Sequence, residues 1–140
     1  MSITQLIYVS TAAHEFGSVE LRRILDSSVR HNAAKKLTGM LLYSHGSFMQ
    51  VLEGDGADID EVMSRIEMDP RHHGICILSR SKVPAREFGQ WSMGFRGIAA
   101  EDAGAWPGYA PFFAHGFNAK MMNSRPGVAL EILATLAGNR

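Results

Sequence analysis

Four polar side chains interrupt stretches that otherwise read as hydrocarbon: Tyr8 in TQLIYVS, Ser28 and Asn32 in SSVRHNAA, and Gln50 in GSFMQVLEG. At about 100° per residue, Ile24, Ser28 and Asn32 fall on one stripe of a helix, flanked by Leu21 and Leu25. On strands of period two, Tyr8 shares a face with Leu6 and Ser10, and Gln50 with Phe48 and Leu52. Amides and hydroxyls held among apolar side chains need partners, because leaving them unpaired is costly. Two arrangements would supply partners. The four can satisfy one another, as buried amides do when they serve packing and specificity. Alternatively they can surround a bound planar heterocycle, the amides reading its donor and acceptor edge with a phenol close by. The residues alone leave both open. Arg65 and Asp69 flank the apolar stripe of a second helix and Arg71 follows it; from there they either meet the polar end of such a ligand or solvate a helix end.

The elements that must position these groups follow from periodicity. Thr4 to Ser10 alternate as a first strand. Ser18 reads as an N-cap, and Leu21, Ile24, Leu25 and Val29 recur at helical spacing from Val19 to Asn32. Leu37 to Tyr43 and Ser47 to Glu53 form a hairpin about Ser44-His45-Gly46. Asp58 and Glu61 have the form of a capping box ahead of the stripe Ile59, Val62, Met63 and Ile66, and this second helix ends near Asp69-Pro70. Gly74 to Ser79 reads as a fourth strand, and the stretch from Trp91 to Phe95 as a short fifth. The order βαββαββ with right-handed crossovers predicts an α+β, ferredoxin-like mixed sheet with two helices on one face. The other face, with Ile7, Val9, Met40, Leu42, Met49 and Val51, is also apolar and must be covered. The segment after Ile98 supplies Trp106, Phe112, Phe113 and Phe117, then a helix from Arg125 to Ala137, so C-terminal helices are expected to cap that face. The expected division is residues 1–98 as the ligand-binding domain and 99–140 as a helical capping extension.

Composition narrows the function. With 140 residues, 46% hydrophobic and 20% charged, the chain suits one domain with a real core. Fourteen basic residues balance fourteen acidic ones, so no overall positive field draws nucleic acid or anionic lipid. No apolar run approaches the roughly 20 residues that cross a bilayer. The lone Cys76 forms no internal disulfide and reads as an inert core residue, and the N-terminus lacks an export pattern, so the expected compartment is the cytoplasm. The six histidines are scattered, the adjacent His72 and His73 would point apart on a strand, and no metal site is expected.

The segment from Ile3 to Ile98 resembles the BLUF domain, a flavin-based blue-light sensor. The residues that carry the resemblance are Tyr8 in LIYVS, Ser28 and Asn32 on the first helix, Gln50 inside the F-x-Q-x-L-E-G string, and Trp91 with Met93 in WSMGF. The resemblance implies FAD between the two helices, bound by Tyr8, Ser28, Asn32, Gln50, Arg65, Asp69 and Arg71. His31 stands where many relatives have a second Asn. It further implies that Tyr8 gives an electron to the excited flavin and that Gln50 relays the proton. Glutamine suits that task because one end of its amide donates and the other accepts. Trp91 and Met93 are the implied readout pair, only one of which can stand near the ring at a time. On this reading the chain is a photoreceptor, not an enzyme, signalling to an unidentified protein partner through the tail, with a homodimer plausible from the apolar tail and sheet edge. The alternatives without flavin are a small ferredoxin-like hydrolase and a nucleic-acid-binding module. The first lacks a Gly-rich basic loop after strand one, and the second lacks exposed aromatics and basic residues on the sheet.

Overall fold

The computed structural model describes residues 3–98, 104–113, 116–125 and 127–138. Five strands form one sheet in the order β4-β1-β3-β2-β5: β1 (Ile3–Ala12), β2 (Thr38–Ser44), β3 (Ser47–Gly54), β4 (His72–Val83) and β5 (Gly94–Gly97). The first four pair antiparallel, and β5 joins the edge of β2 in parallel. Helices α1 (Ser18–Ala34) and α2 (Gly56–Met68) cross from β1 to β2 and from β3 to β4. Each crossover skips one intervening strand. This is the expected α+β ferredoxin-like arrangement.

Central position explains the burial of β1 and β3. Every residue of β3 is buried, because both faces of that strand are covered. Its register against β1 sets Tyr8 opposite Gln50 and Leu6 opposite Leu52, while Ile7 and Val9 face Val51 and Met49 on the reverse side. On the inner face, Leu6, Leu41, Phe48 and Leu52 pack against Ile59, Val62 and Met63 of α2. On the outer face, Ile7, Val9, Met40, Leu42, Met49 and Val51 meet Phe112, Phe113, Phe117, Met122, Val128, Ile132 and Leu133 of the tail. Each side chain fully buried in this way contributes about 1.5–3 kcal/mol. The tail is α3 (Ala110–Phe113), α4 (Ala119–Asn123) and α5 (Val128–Leu136), so the expected cap is present. The anticipated boundary near residue 99 and Pro126 of the anticipated last helix lie outside the described residues.

Several element ends differ from the sequence reading. Gly17, not Ser18, is the N-cap of α1, and the Glu20 carboxylate accepts its N–H. Asp55, not Asp58, caps α2, accepting from the Ala57 amide at 2.8 Å. The hairpin closes on His45 and Gly46 alone, both left-handed with φ of 47° and 72°, as a two-residue primed turn requires. Strand β4 runs beyond the apolar Gly74 to Ser79 because it pairs with β1 along its length while its outer edge stays wet, which permits Arg80 and Lys82. Strand β5 begins at Gly94, after Trp91 and Met93.

Candidate functional site

Helix α1 stands off the sheet. Among its residues only Asn32 is buried, and Leu21, Ile24, Leu25 and Val29 are half-buried although they form its apolar stripe. The space left between α1, α2 and the sheet is a cleft in two adjoining parts. The inner part, of about 70 Å³, is lined by Tyr8, Ile24, Ser28, Leu41, Phe48, Gln50, Ile66, Asp69, Arg71 and His72. The outer part, of about 410 Å³, adds Ser27, His31, Asn32, Val62, Arg65 and Met68. The outer part is of the size that holds a small-molecule ligand, and the inner part is a narrow extension of it toward the sheet.

At the floor of the cleft, the Tyr8 hydroxyl donates to Gln50 Oε1 at 2.5 Å, and Gln50 Nε2 donates to the Met93 sulfur at 3.3 Å. The first bond follows from the register, which places Tyr8 and Gln50 side by side on the inner face. The Gln50 amide therefore spans the gap from β1 to the segment ahead of β5. Burial, and secondarily the Asp69 carboxylate, push the Tyr8 phenol well above its ordinary pKa, so it keeps its proton at neutral pH. Asn32 is buried at the end of α1, and its Nδ2 donates to the Ser92 carbonyl at 3.2 Å. The residues flanking that carbonyl divide between the faces. Met93 joins the inner cluster and Trp91 packs with the outer one. Met93 is the one of the pair beside Gln50 in this structure.

At the mouth, Asp69 and Arg71 form a forked pair, with Arg71 Nε at 2.9 Å and one terminal nitrogen at 2.6 Å. Burial raises the Asp69 pKa, but the bonds from the Arg71 side chain and backbone outweigh it and hold the carboxyl below its usual range. Arg65 also lines the outer part, where its guanidinium pairs with Glu61 at 3.3 Å across one helical turn. Ser28 lines both parts. The cleft thus brings together all seven expected binding residues, with Arg65 the most peripheral.

His31, which stands where many relatives have a second Asn, lines the outer part with its Nδ1 at 2.8 Å from the Ser27 carbonyl. His72 was missed by the sequence reading. Its Nε2 faces the Ile66 carbonyl at 2.7 Å and so donates, while Nδ1 stands 2.8 Å from the Ser10 hydroxyl. This ring ties the end of α2 to β1 beside Tyr8, at 6.5 Å between ring centroids. Alternation along a longer β4 would have put His72 on the inner face.

A slot with apolar walls from Ile24, Leu41, Phe48 and Ile66, edged by amides, a hydroxyl and a guanidinium–carboxylate pair, fits a flat heterocycle with carbonyl and ring-nitrogen edges. The comparisons agree. The family model for BLUF, sensors of blue-light using FAD, matches residues 3–94. The photoactivated adenylate cyclase subunit beta of Euglena gracilis is 30% identical over 93 residues, covering 66% of this chain and 11% of that protein. The blue light- and temperature-regulated antirepressor BluF of Escherichia coli (strain K12) is 32% identical over 91 residues, covering 65% of this chain and 23% of that one. The dark-state structure of BlrB, a BLUF protein, superposes with a TM-score of 0.80 at 26% identity, covering 99% of this chain and 98% of BlrB. The similarity to these longer curated proteins is thus confined to a small part of each, whereas BlrB matches along almost its whole length. By its fold, its cleft and these matches, the chain belongs to the BLUF family of blue-light sensors that use FAD.

Proposed function

We propose that light is registered here through Tyr8 and Gln50, that Met93 and Trp91 read the change, and that the tail carries it to a protein partner. The observation that carries this is the continuous chain of bonds from the Tyr8 hydroxyl through the Gln50 amide to the Met93 sulfur. Within the cleft, Asn32 and Ser28 would hold the carbonyl and ring-nitrogen edge of the flavin, with Asp69, Arg71 and Arg65 toward its pyrimidine and ribityl side. Bound FAD supplies, on absorbing blue light, a strong acceptor for one electron. Tyr8 is positioned to give that electron, and the proton on its oxygen has a direct path to Gln50 Oε1. A raised phenol pKa keeps that proton in place until the electron leaves.

With FAD bound, electron and proton would return to Tyr8, leaving Gln50 rotated or tautomerised. Rotation exchanges the two ends of the amide, so Tyr8 and Met93 each meet the opposite group. The donor that held the Met93 sulfur is withdrawn. Met93 and Trp91, on opposite faces and two residues apart, can then shift together, drawing on β5. Strand β5 meets the tail through Arg96, which donates to the Leu136 carbonyl at 3.2 Å and lies 5.2 Å from the Trp106 ring.

On this reading residues 1–98 are the sensor and 99–140 the output extension, the chain has no catalytic output of its own, and the partner is another protein or a second copy. Among the described residues no helix is long and apolar enough to cross a membrane. The alternatives of a hydrolase or a nucleic-acid-binding module fall away with family membership. The test is the absorption spectrum of the FAD-bound protein in darkness, immediately after blue light, and through recovery. A small reversible red shift is expected. A flavin spectrum that light leaves unmoved would overturn the proposal.

A further inference from the structure

Glu53, the acid of the F-x-Q-x-L-E-G string, is fully buried. It points to the outer face with Val51 and Met49, away from Gln50 and the cleft. Both of its carboxylate oxygens are occupied. Oε1 accepts from the Phe88 amide at 2.8 Å and the Thr38 hydroxyl at 3.4 Å. Oε2 accepts from the Glu87 amide at 2.8 Å and the Gln5 side chain at 3.0 Å. Arg86 closes the arrangement, donating to the Glu53 backbone carbonyl at 2.8 Å and to Thr38 Oγ1 at 2.7 Å. A buried carboxylate is costly unless its oxygens are satisfied, and here two of the donors are consecutive backbone amides of one loop.

That loop joins β4 to β5 and carries Trp91, Ser92 and Met93. Beyond Phe88 the backbone bonds of Trp91 are longer. The Trp91 amide reaches the Phe88 carbonyl at 3.3 Å, the Gly39 amide reaches the Trp91 carbonyl at 3.3 Å, and Asn32 and Gln50 hold Ser92 and Met93 at 3.2 and 3.3 Å. The segment is therefore clamped by the Glu53 carboxylate at residues 87 and 88, whereas at 91–93 it is held by longer backbone bonds and by side chains of the cleft, Gln50 among them.

We propose that Glu53 is a positioning residue for the light response: its carboxylate makes residues 87 and 88 a fixed pivot, so that a change at Gln50 moves Trp91 and Met93 about it and reaches β5. This rests on the readout role given to Trp91 and Met93 above. Without the pivot the whole loop would yield and the movement would dissipate within it.

The test uses the full chain with FAD bound, comparing wild type with Glu53→Gln. A glutamine has one accepting oxygen, so its amino end must face one of the two loop amides, donor against donor. Flavin binding and the size of the red shift should stay as in wild type, because Tyr8 and Gln50 lie on the other face of the sheet. The amides of Glu87 and Phe88 should exchange about tenfold faster in darkness, and the light-minus-dark exchange difference over Trp91 to Gly97 should fall by about half or more. Unchanged exchange at 87 and 88, or a full light-minus-dark difference despite released amides, would overturn the pivot while leaving the photosensor reading intact. Should Glu53→Gln fail to fold, the wild type itself tests the pivot: the amides of Glu87 and Phe88 should exchange slowly and equally in darkness and in light, while those of Trp91 to Gly97 change with light. A light-dependent change at 87 and 88 as large as that at 91 to 97 overturns the proposal. A wild-type protein without any red shift would instead overturn the photosensor reading, and the readout with it.

Discussion

Replacing Tyr8 with Phe removes one oxygen from the inner face and leaves Gln50 Oε1 without the donor that stands 2.5 Å away. The site is buried, so the orphaned acceptor costs about 1–3 kcal/mol. Gln50→Leu does the converse, leaving the Tyr8 hydroxyl without its acceptor and the Met93 sulfur without its donor, at a similar cost of about 1–3 kcal/mol before any packing change. In the double variant both polar partners are gone and apolar surfaces meet, so the two losses should not add. A coupling of about 1–2 kcal/mol is expected for a direct buried pair. For a chain of this size, each single variant should melt roughly 3–10 °C below wild type, with the double variant above the sum of the two shifts. The assay is thermal unfolding with saturating FAD, corrected by the measured flavin affinity of each variant because the ligand itself stabilises the fold. Illumination of the same samples should produce no red shift in either single variant. Additive losses of stability would refute the direct bond between the two side chains, and a normal red shift in Tyr8→Phe would refute Tyr8 as the donor.

Other outcomes follow from the same geometry. Because burial raises the folded-state pKa of Tyr8 above that of the unfolded chain, its contribution is complete below about pH 10 and is lost above it, where the unfolded state releases the proton first. Wild type should therefore lose about 1.4 kcal/mol more stability per pH unit above pH 10 than Tyr8→Phe, read by denaturant unfolding at several pH values. Asn32→Ala should weaken FAD binding about tenfold or more, measured by flavin fluorescence on titration, since the amide is buried and also fixes Ser92. Arg96→Met should leave the red shift unchanged but reduce the light-dependent change in protease sensitivity of the tail, because the bond to Leu136 and the contact with Trp106 are lost.

The sheet and its two covered faces were legible because alternation in β1, β2 and β3 is regular and the outer-face residues are too apolar to remain in water. Tyr8, Ser28, Asn32 and Gln50 stood out for the same reason, as polar groups at positions the periodicity marks as interior. Other features were hidden by chemistry that periodicity does not express. The cap of α1 is glycine, whose backbone does what Ser18 was expected to do. Strand β4 extends into polar sequence because an edge strand needs only one dry side, and His72 enters the site through that extension. The sides taken by Trp91 and Met93 depend on an irregular loop that Glu53 fixes from 35 residues away in sequence at Phe88, a contact no local pattern announces.

The most direct measurement is light-minus-dark infrared difference spectroscopy of the FAD-bound protein carrying glutamine labelled with ¹³C and ¹⁵N at the side-chain amide. The account predicts label-sensitive amide bands that appear with the red shift, decay at the same rate, and are absent in Gln50→Leu. A red shift without any label-sensitive band would contradict the rearrangement of Gln50 on which the account depends.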